Sequence, residues 1–160
     1  MNNSAKVIPI QQWLETFRTA SAELAKHSLR FDPHQAPPAP VEAGEPGAYI
    51  AILSPFNAVH LGLSAPPAQC RALARALLGL RHTEKLSEHD VVDGLSEVMN
   101  IIAGKVKASM SGRDGQLHLG LPMFVTSPIR AGADAESTSA EVRLGPVACT
   151  LRVYRRERAA

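Results

Sequence analysis

The sequence predicts an α+β fold: a layer of long helices packed on a largely antiparallel β-sheet. Three observations lead there. One amphipathic stretch near the N-terminus and two more in mid-chain carry apolar residues at helical spacing. Short runs of β character precede and follow the mid-chain pair. Tight turns join two pairs of those runs. With 160 residues the chain is long enough for one domain with a proper core. We read 1–160 as a single domain, with an N-terminal helix within 1–30, a proline-rich loop over 31–47 and a core over 48–155.

The elements follow in order. Ile10 to Ser28 reads as an amphipathic helix, with Ile10, Trp13, Leu14, Phe17 and Leu24 on its apolar side and Pro9 at its first turn. Residues 31–47 hold so many prolines that a helix is forbidden and a central strand disfavoured; the expectation is a long, mobile loop or edge segment. Ala48–Ser54 and Ala58–Ser64 form a hairpin about Pro55-Phe56-Asn57. Pro66-Pro67 opens a helix through Cys70, Leu73, Leu77 and Leu78 that ends near Gly79. Ser87, with Asp90 three residues on, makes a capping box for a long helix from about Asp90 to Met110. Beyond Gly112-Arg-Asp-Gly115 come strands at Leu117–Val125, Ser139–Leu144 and Val147–Tyr154, with Gly145-Pro146 as a tight turn and 131–139 as an exposed loop.

Bulk properties exclude several classes. An apolar content of 45% and a charged content of 20% are ordinary for a soluble globular chain. A net charge of +2 with only 4% aromatic residues argues against a nucleic-acid surface, and the basic run Arg152 to Arg158 reads as a solvated strand end. No apolar stretch suits a signal peptide or a membrane span, so the expected location is the cytoplasm. Cys70 and Cys149 do not make a disulfide framework and are expected to pack as small hydrophobes. The six histidines show no metal-ligand spacing.

The long mid-chain helix carries the chemistry. At ~100° per residue, Val91, Leu95, Val98, Met99, Ile102 and Val106 form one stripe, which belongs to the core. Asp93, Glu97, Asn100 and Gly104 form the opposite stripe. The helix thus holds a carboxylate and a carboxamide toward water, one turn apart. A glycine inside a helix costs roughly 1 kcal/mol relative to alanine, so Gly104 suggests that something approaches the backbone there. Packing against a neighbouring element is the other reading of Gly104, and a solvated face with no task is the plain reading of Glu97 and Asn100.

The segment Glu97-Val-Met-Asn100-Ile-Ile-Ala-Gly104, followed after a turn by Leu119-Gly-Leu-Pro122, resembles the CheX/CheC-type chemotaxis phosphatases. The hairpin at 48–64 and the helix at 66–79 sit where that family has them, so the resemblance spans roughly residues 48–155. A single Glu-x-x-Asn helix is similar to the CheX branch rather than the two-site CheC branch. The resemblance implies a CheC-like fold and removal of the phosphoryl group from the aspartyl-phosphate of a CheY-like receiver domain in two-component signalling. It implies that Asn100 orients the attacking water and that Glu97 pairs with the receiver lysine beside the phosphorylation site. Asp93 and Gly104 become partner contacts. The protein needs no cofactor of its own, because the receiver brings Mg²⁺. It also implies a homodimer joined through the sheets, with no nucleic-acid or membrane partner. Two departures stand out: Asp93 adds a negative charge one turn before Glu97, and the loop at 31–47 is unusually rich in proline. A non-catalytic assembly module on the same fold, as in flagellar switch proteins, is the alternative. A relative that binds receivers but turns over slowly is a third.

Overall fold

The computed structural model describes residues 7–35, 45–113 and 115–157. In order these form α1 (Ile10–His27), β1 (Gly47–Leu53), β2 (Asn57–Ser64), α2 (Pro67–Leu78), α3 (Glu88–Met110), β3 (His118–Leu119), β4 (Met123–Val125), β5 (Glu136–Leu144) and β6 (Val147–Glu157). The sheet order is β3-β1-β2-β6-β5, with β4 also pairing with β1, and every pairing is antiparallel. The expected α+β architecture is the observed one.

Alternation within the strands decides which face is covered. Ala48, Ile50 and Ile52 of β1 stand opposite Leu63, Leu61 and Val59 of β2, which in turn face Leu151, Val153 and Arg155 of β6. All nine are buried. Against them pack Trp13, Phe17 and Leu24 of α1, Leu73 of α2 and the apolar stripe of α3. Each fully buried side chain of this kind contributes roughly 1.5–3 kcal/mol, so this shared layer fixes how α3 lies on the sheet.

Local chemistry sets the ends of the elements. Pro9 precedes α1 with a backbone already near helical φ. The Ser54 hydroxyl accepts from the amides of Phe56 and Asn57 at 3.2 and 2.9 Å and closes the β1–β2 turn. Gly79 ends α2 at φ +65°, a conformation that suits glycine. The turn at Gly145 needs glycine twice over. Its φ is +59°, and a Cβ there would stand 2.5 Å from the Phe31 ring.

Four expectations need correction. The strand expected over Leu117–Val125 is two short strands, because Pro122 has no amide to donate. Between the Ile52–Leu119 and Tyr49–Met123 pairs the edge also advances one residue further than β1, as in a bulge. Leu121 is thereby turned out and is 89% exposed. Second, β5 begins at Glu136, so the expected loop over 131–139 loses its last residues to the sheet. Third, Gly47, assigned to the proline-rich loop, opens β1; residues 36–44 of that loop lie outside the described residues. Fourth, the basic run is a solvated end only in part: Arg156 and Glu157 are exposed, whereas Arg155 turns inward, and Arg158 lies outside the described residues. Arg155 is 7% exposed, donates to the Ile8 carbonyl at 2.6 Å and pairs with Glu136 at 2.6 Å. Arg152 pairs with Glu45 at 2.7 Å and Arg156 with Asp134 at 2.6 Å.

Candidate functional site

The start of α3 is set by reciprocal bonds at Ser87. The Asp90 amide donates to Ser87 Oγ at 3.1 Å, while the Ser87 amide and hydroxyl donate to Asp90 Oδ2 at 2.8 and 2.7 Å. These bonds hold the Asp90 carboxyl below the usual carboxylate range, the Ser87 side chain contributing most. Upstream, the 79–87 connection is clamped to the segment that follows α1. The amides of His82 and His34 donate to Asp32 at 2.8 and 2.9 Å, and His82 Nδ1 lies 2.8 Å from the same carboxylate. Arg75 Nη1 bonds the carbonyls of Arg81 and Glu84, each at 2.7 Å. The helix therefore enters the core from a fixed point.

From there the 23 residues of α3 divide as the periodicity requires. Val91, Leu95, Val98, Met99, Ile102 and Val106 are all buried. Asp93, Glu97 and Asn100 are exposed, and Gly104 is half-buried. The four residues expected to share a face do share it. Asp93 Oδ2 lies 3.1 Å from His89 Nδ1, one turn upstream, and both side chains are open to solvent. Past Asn100, Lys105 reaches Glu23 of α1 at 3.4 Å and ties the two helices together. Among the described residues the Glu97 and Asn100 side chains have no hydrogen-bond or ion-pair partner.

The two glycines of α3 have opposite surroundings. A Cβ at Gly94 would stand 2.8 Å from Ala74 Cβ and 3.0 Å from Ala74 Cα, so α2 needs a glycine there to pack. A Cβ at Gly104 would meet nothing within 4 Å. Packing among the described residues therefore does not account for Gly104, and among them nothing covers the backbone there. Sequence reasoning missed Gly94, although its place between Val91 and Leu95 on the apolar side was the available signal. It missed the inward Arg155 too, whose parity with Cys149, Leu151 and Val153 along β6 gave it away.

The arrangement can bind and orient. A carboxylate only accepts hydrogen bonds, whereas a carboxamide both donates and accepts. The thiols of Cys70 and Cys149 are buried, and burial pushes each up to about 12, far from the thiolate a nucleophile requires. Among the described residues no group of three or more His, Cys, Asp or Glu is placed to hold a metal ion. Among the same residues no helix is long and apolar enough to cross a membrane.

A helical layer on one face of an antiparallel sheet, with a polar pair held outward at the centre of its longest helix, defines a two-layer α+β protein with a candidate docking face. The profile of a family described as chemotaxis phosphatase CheX matches residues 47–140, and the chain belongs to that family. Solved structures share the fold at low identity. The chemotaxis protein CheX from Vibrio vulnificus superposes with a TM-score of 0.68 at 14% identity, covering 90% of this chain and 99% of that one. CheX from Desulfovibrio desulfuricans gives 0.68 at 17%, covering 92% and 99%. CheX from Borrelia burgdorferi, solved in a complex with CheY, BeF₃ and Mg²⁺, gives 0.67 at 15%, covering 91% and 98%. Curated proteins give no match.

Proposed function

We propose that the chain is a protein phosphatase that removes the phosphoryl group from the aspartyl-phosphate of a CheY-like receiver domain. The observation that carries this reading is the outward, unpartnered Glu97–Asn100 pair on a helix fixed along its other side, in a chain of the CheX family. An acyl phosphate is already activated, and a receiver holds its own Mg²⁺ to neutralise the phosphoryl oxygens. The remaining task is to place one water in line with phosphorus. Asn100 inserts at the phosphoryl group and orients that water through its carboxamide. Glu97 pairs with the receiver lysine and fixes the register of Asn100. The open backbone at Gly104 lets the receiver surface approach α3, and Asp93 sits at the rim, its Oδ2 3.1 Å from His89 Nδ1. The metal belongs to the substrate.

A homodimer joined through the sheets is part of the same reading. Its support is the β3–β4 edge, where Leu121 is 89% and Met123 55% exposed, a surface that isolated edges rarely leave bare. A solution mass equal to the monomer counts against it. A cytoplasmic location follows from the proposed partner.

The test is the lifetime of a phosphorylated CheY-type receiver with catalytic amounts of the protein. Faster phosphate loss is expected, and Glu97→Ala is expected to weaken receiver binding and rate together. An unchanged lifetime across several receivers favours the non-catalytic module.

A further inference from the structure

A second site lies on the face of the sheet away from the helices. Tyr49, His60 and Tyr154 alternate along their strands with the buried, helix-facing residues, and His60 stands directly opposite Tyr154. Over them folds the β4–β5 connection. Tyr154 Oη donates to the Ile129 carbonyl at 2.5 Å, and Arg156 holds Asp134 at 2.6 Å. The roof is therefore pinned to β6 at two points. Beneath it is a cavity of about 340 Å³, at the small end of the range for ligand sites.

Its chemistry is specific. The Tyr49 ring fills the space that a side chain at Gly62 would need and lies 6.5 Å, centre to centre, from the Tyr154 ring. Tyr49 is only 2% exposed, yet its hydroxyl has no hydrogen-bond partner among the described residues. A buried hydroxyl is costly to leave unpaired. Met123, Ile129 and the Tyr154 ring supply apolar walls. Of the charged groups on this face of the sheet, Asp134 is held by Arg156, whereas Arg130 has no ion-pair partner among the described residues. Desolvation of one side of the His60 ring pushes its imidazole below the ordinary histidine value, which disfavours a second cation at the cavity.

We propose that this cavity binds a small aromatic carboxylate, its ring between Tyr154, Met123 and Ile129 and its carboxylate received by Arg130 and the Tyr49 hydroxyl. The proposal is independent of the Glu97–Asn100 face, which lies on the other side of the sheet.

The test is titration of the full chain with 2-naphthoate and with its neutral isostere 2-naphthamide, followed by calorimetry. The carboxylate is expected to bind roughly 10-fold more tightly than the amide, the fold-change of one charge-assisted hydrogen bond. Arg130→Gln, on the exposed roof, is expected to erase that preference. Tyr49→Phe, which keeps the ring, is expected to weaken naphthoate several-fold, and the Arg130 arm decides alone if this variant does not fold. Equal binding of the two probes, or no binding of either, overturns the proposal. So does protection of the 129–135 amides from exchange that is lost on dilution with no probe bound, because a second copy of the chain then covers this face.

Discussion

Gly94 and Gly104 lie on the same helix, and a methyl group has opposite consequences at the two. Gly94→Ala drives a Cβ into Ala74 and is expected to destabilise the fold by ~1–3 kcal/mol through overpacking, read from urea unfolding. Gly104→Ala meets open space and is expected to stabilise by up to about 1 kcal/mol, the gain in helix propensity. On the proposed function the same Gly104→Ala variant slows receiver dephosphorylation, because the methyl occupies the approach to the backbone. A more stable but less active Gly104→Ala would separate a docking glycine from a structural one. A variant with full activity would leave the open backbone without a task. Asn100 and Glu97 differ in the same residue-level way. One side chain can donate to and accept from a water, and the other can only hold a cation, so exchanging them is expected to abolish activity although composition is unchanged.

At the scale of elements, two carboxylates fix where α3 begins. Asp90 closes the capping box, and Asp32 clamps the preceding connection through His82 and His34. The Ser87 bonds lower the Asp90 pKa, and the backbone amide of His82 leads the bonds that lower that of Asp32. Both return to about 3.8 when the chain unfolds. The unfolded chain therefore binds more protons in acid. The stability these groups contribute is complete above the unfolded value and is lost as pH falls through the lower folded values. Thermal unfolding is expected to show a Tm that falls below about pH 4, with a shallower fall in Asp90→Asn and Asp32→Asn. A slope unaltered in both variants would mean that neither carboxylate holds the helix start. The capping box was legible because Ser87, Asp90 and the apolar run of α3 form a local pattern. The break between β3 and β4 was less so. Pro122 marked it, but the extra residue that turns Leu121 outward appears only once the register against β1 is known.

For the whole molecule, the sequence reveals what depends on periodicity and hides what depends on pairing. The two faces of α3 follow from helical spacing, so Asp93, Glu97, Asn100 and Gly104 could be placed together without coordinates. The inward face of Arg155 was legible from its parity along β6, but its partners, Ile8 and Glu136, were not, because they are remote or on another strand. The orphan Tyr49 hydroxyl was hidden because the roof above it crosses the sheet from the β4–β5 connection. What the assembled fold supplies to the proposed reaction is rigidity. The core side of α3 is locked against the sheet, α2 and α1, so the outward pair meets a partner already oriented, and positioning of this kind can supply several kcal/mol of barrier reduction. The most direct measurement is the single-turnover rate of phosphate loss from a receiver saturated with the wild-type chain, beside the same experiment with Asn100→Ala. The variant is expected to bind the receiver with modest loss and to lose roughly 100-fold or more in rate, as when one preorganised hydrogen-bonding group is removed. A saturated Asn100→Ala complex that loses phosphate as fast as wild type would contradict the mechanism.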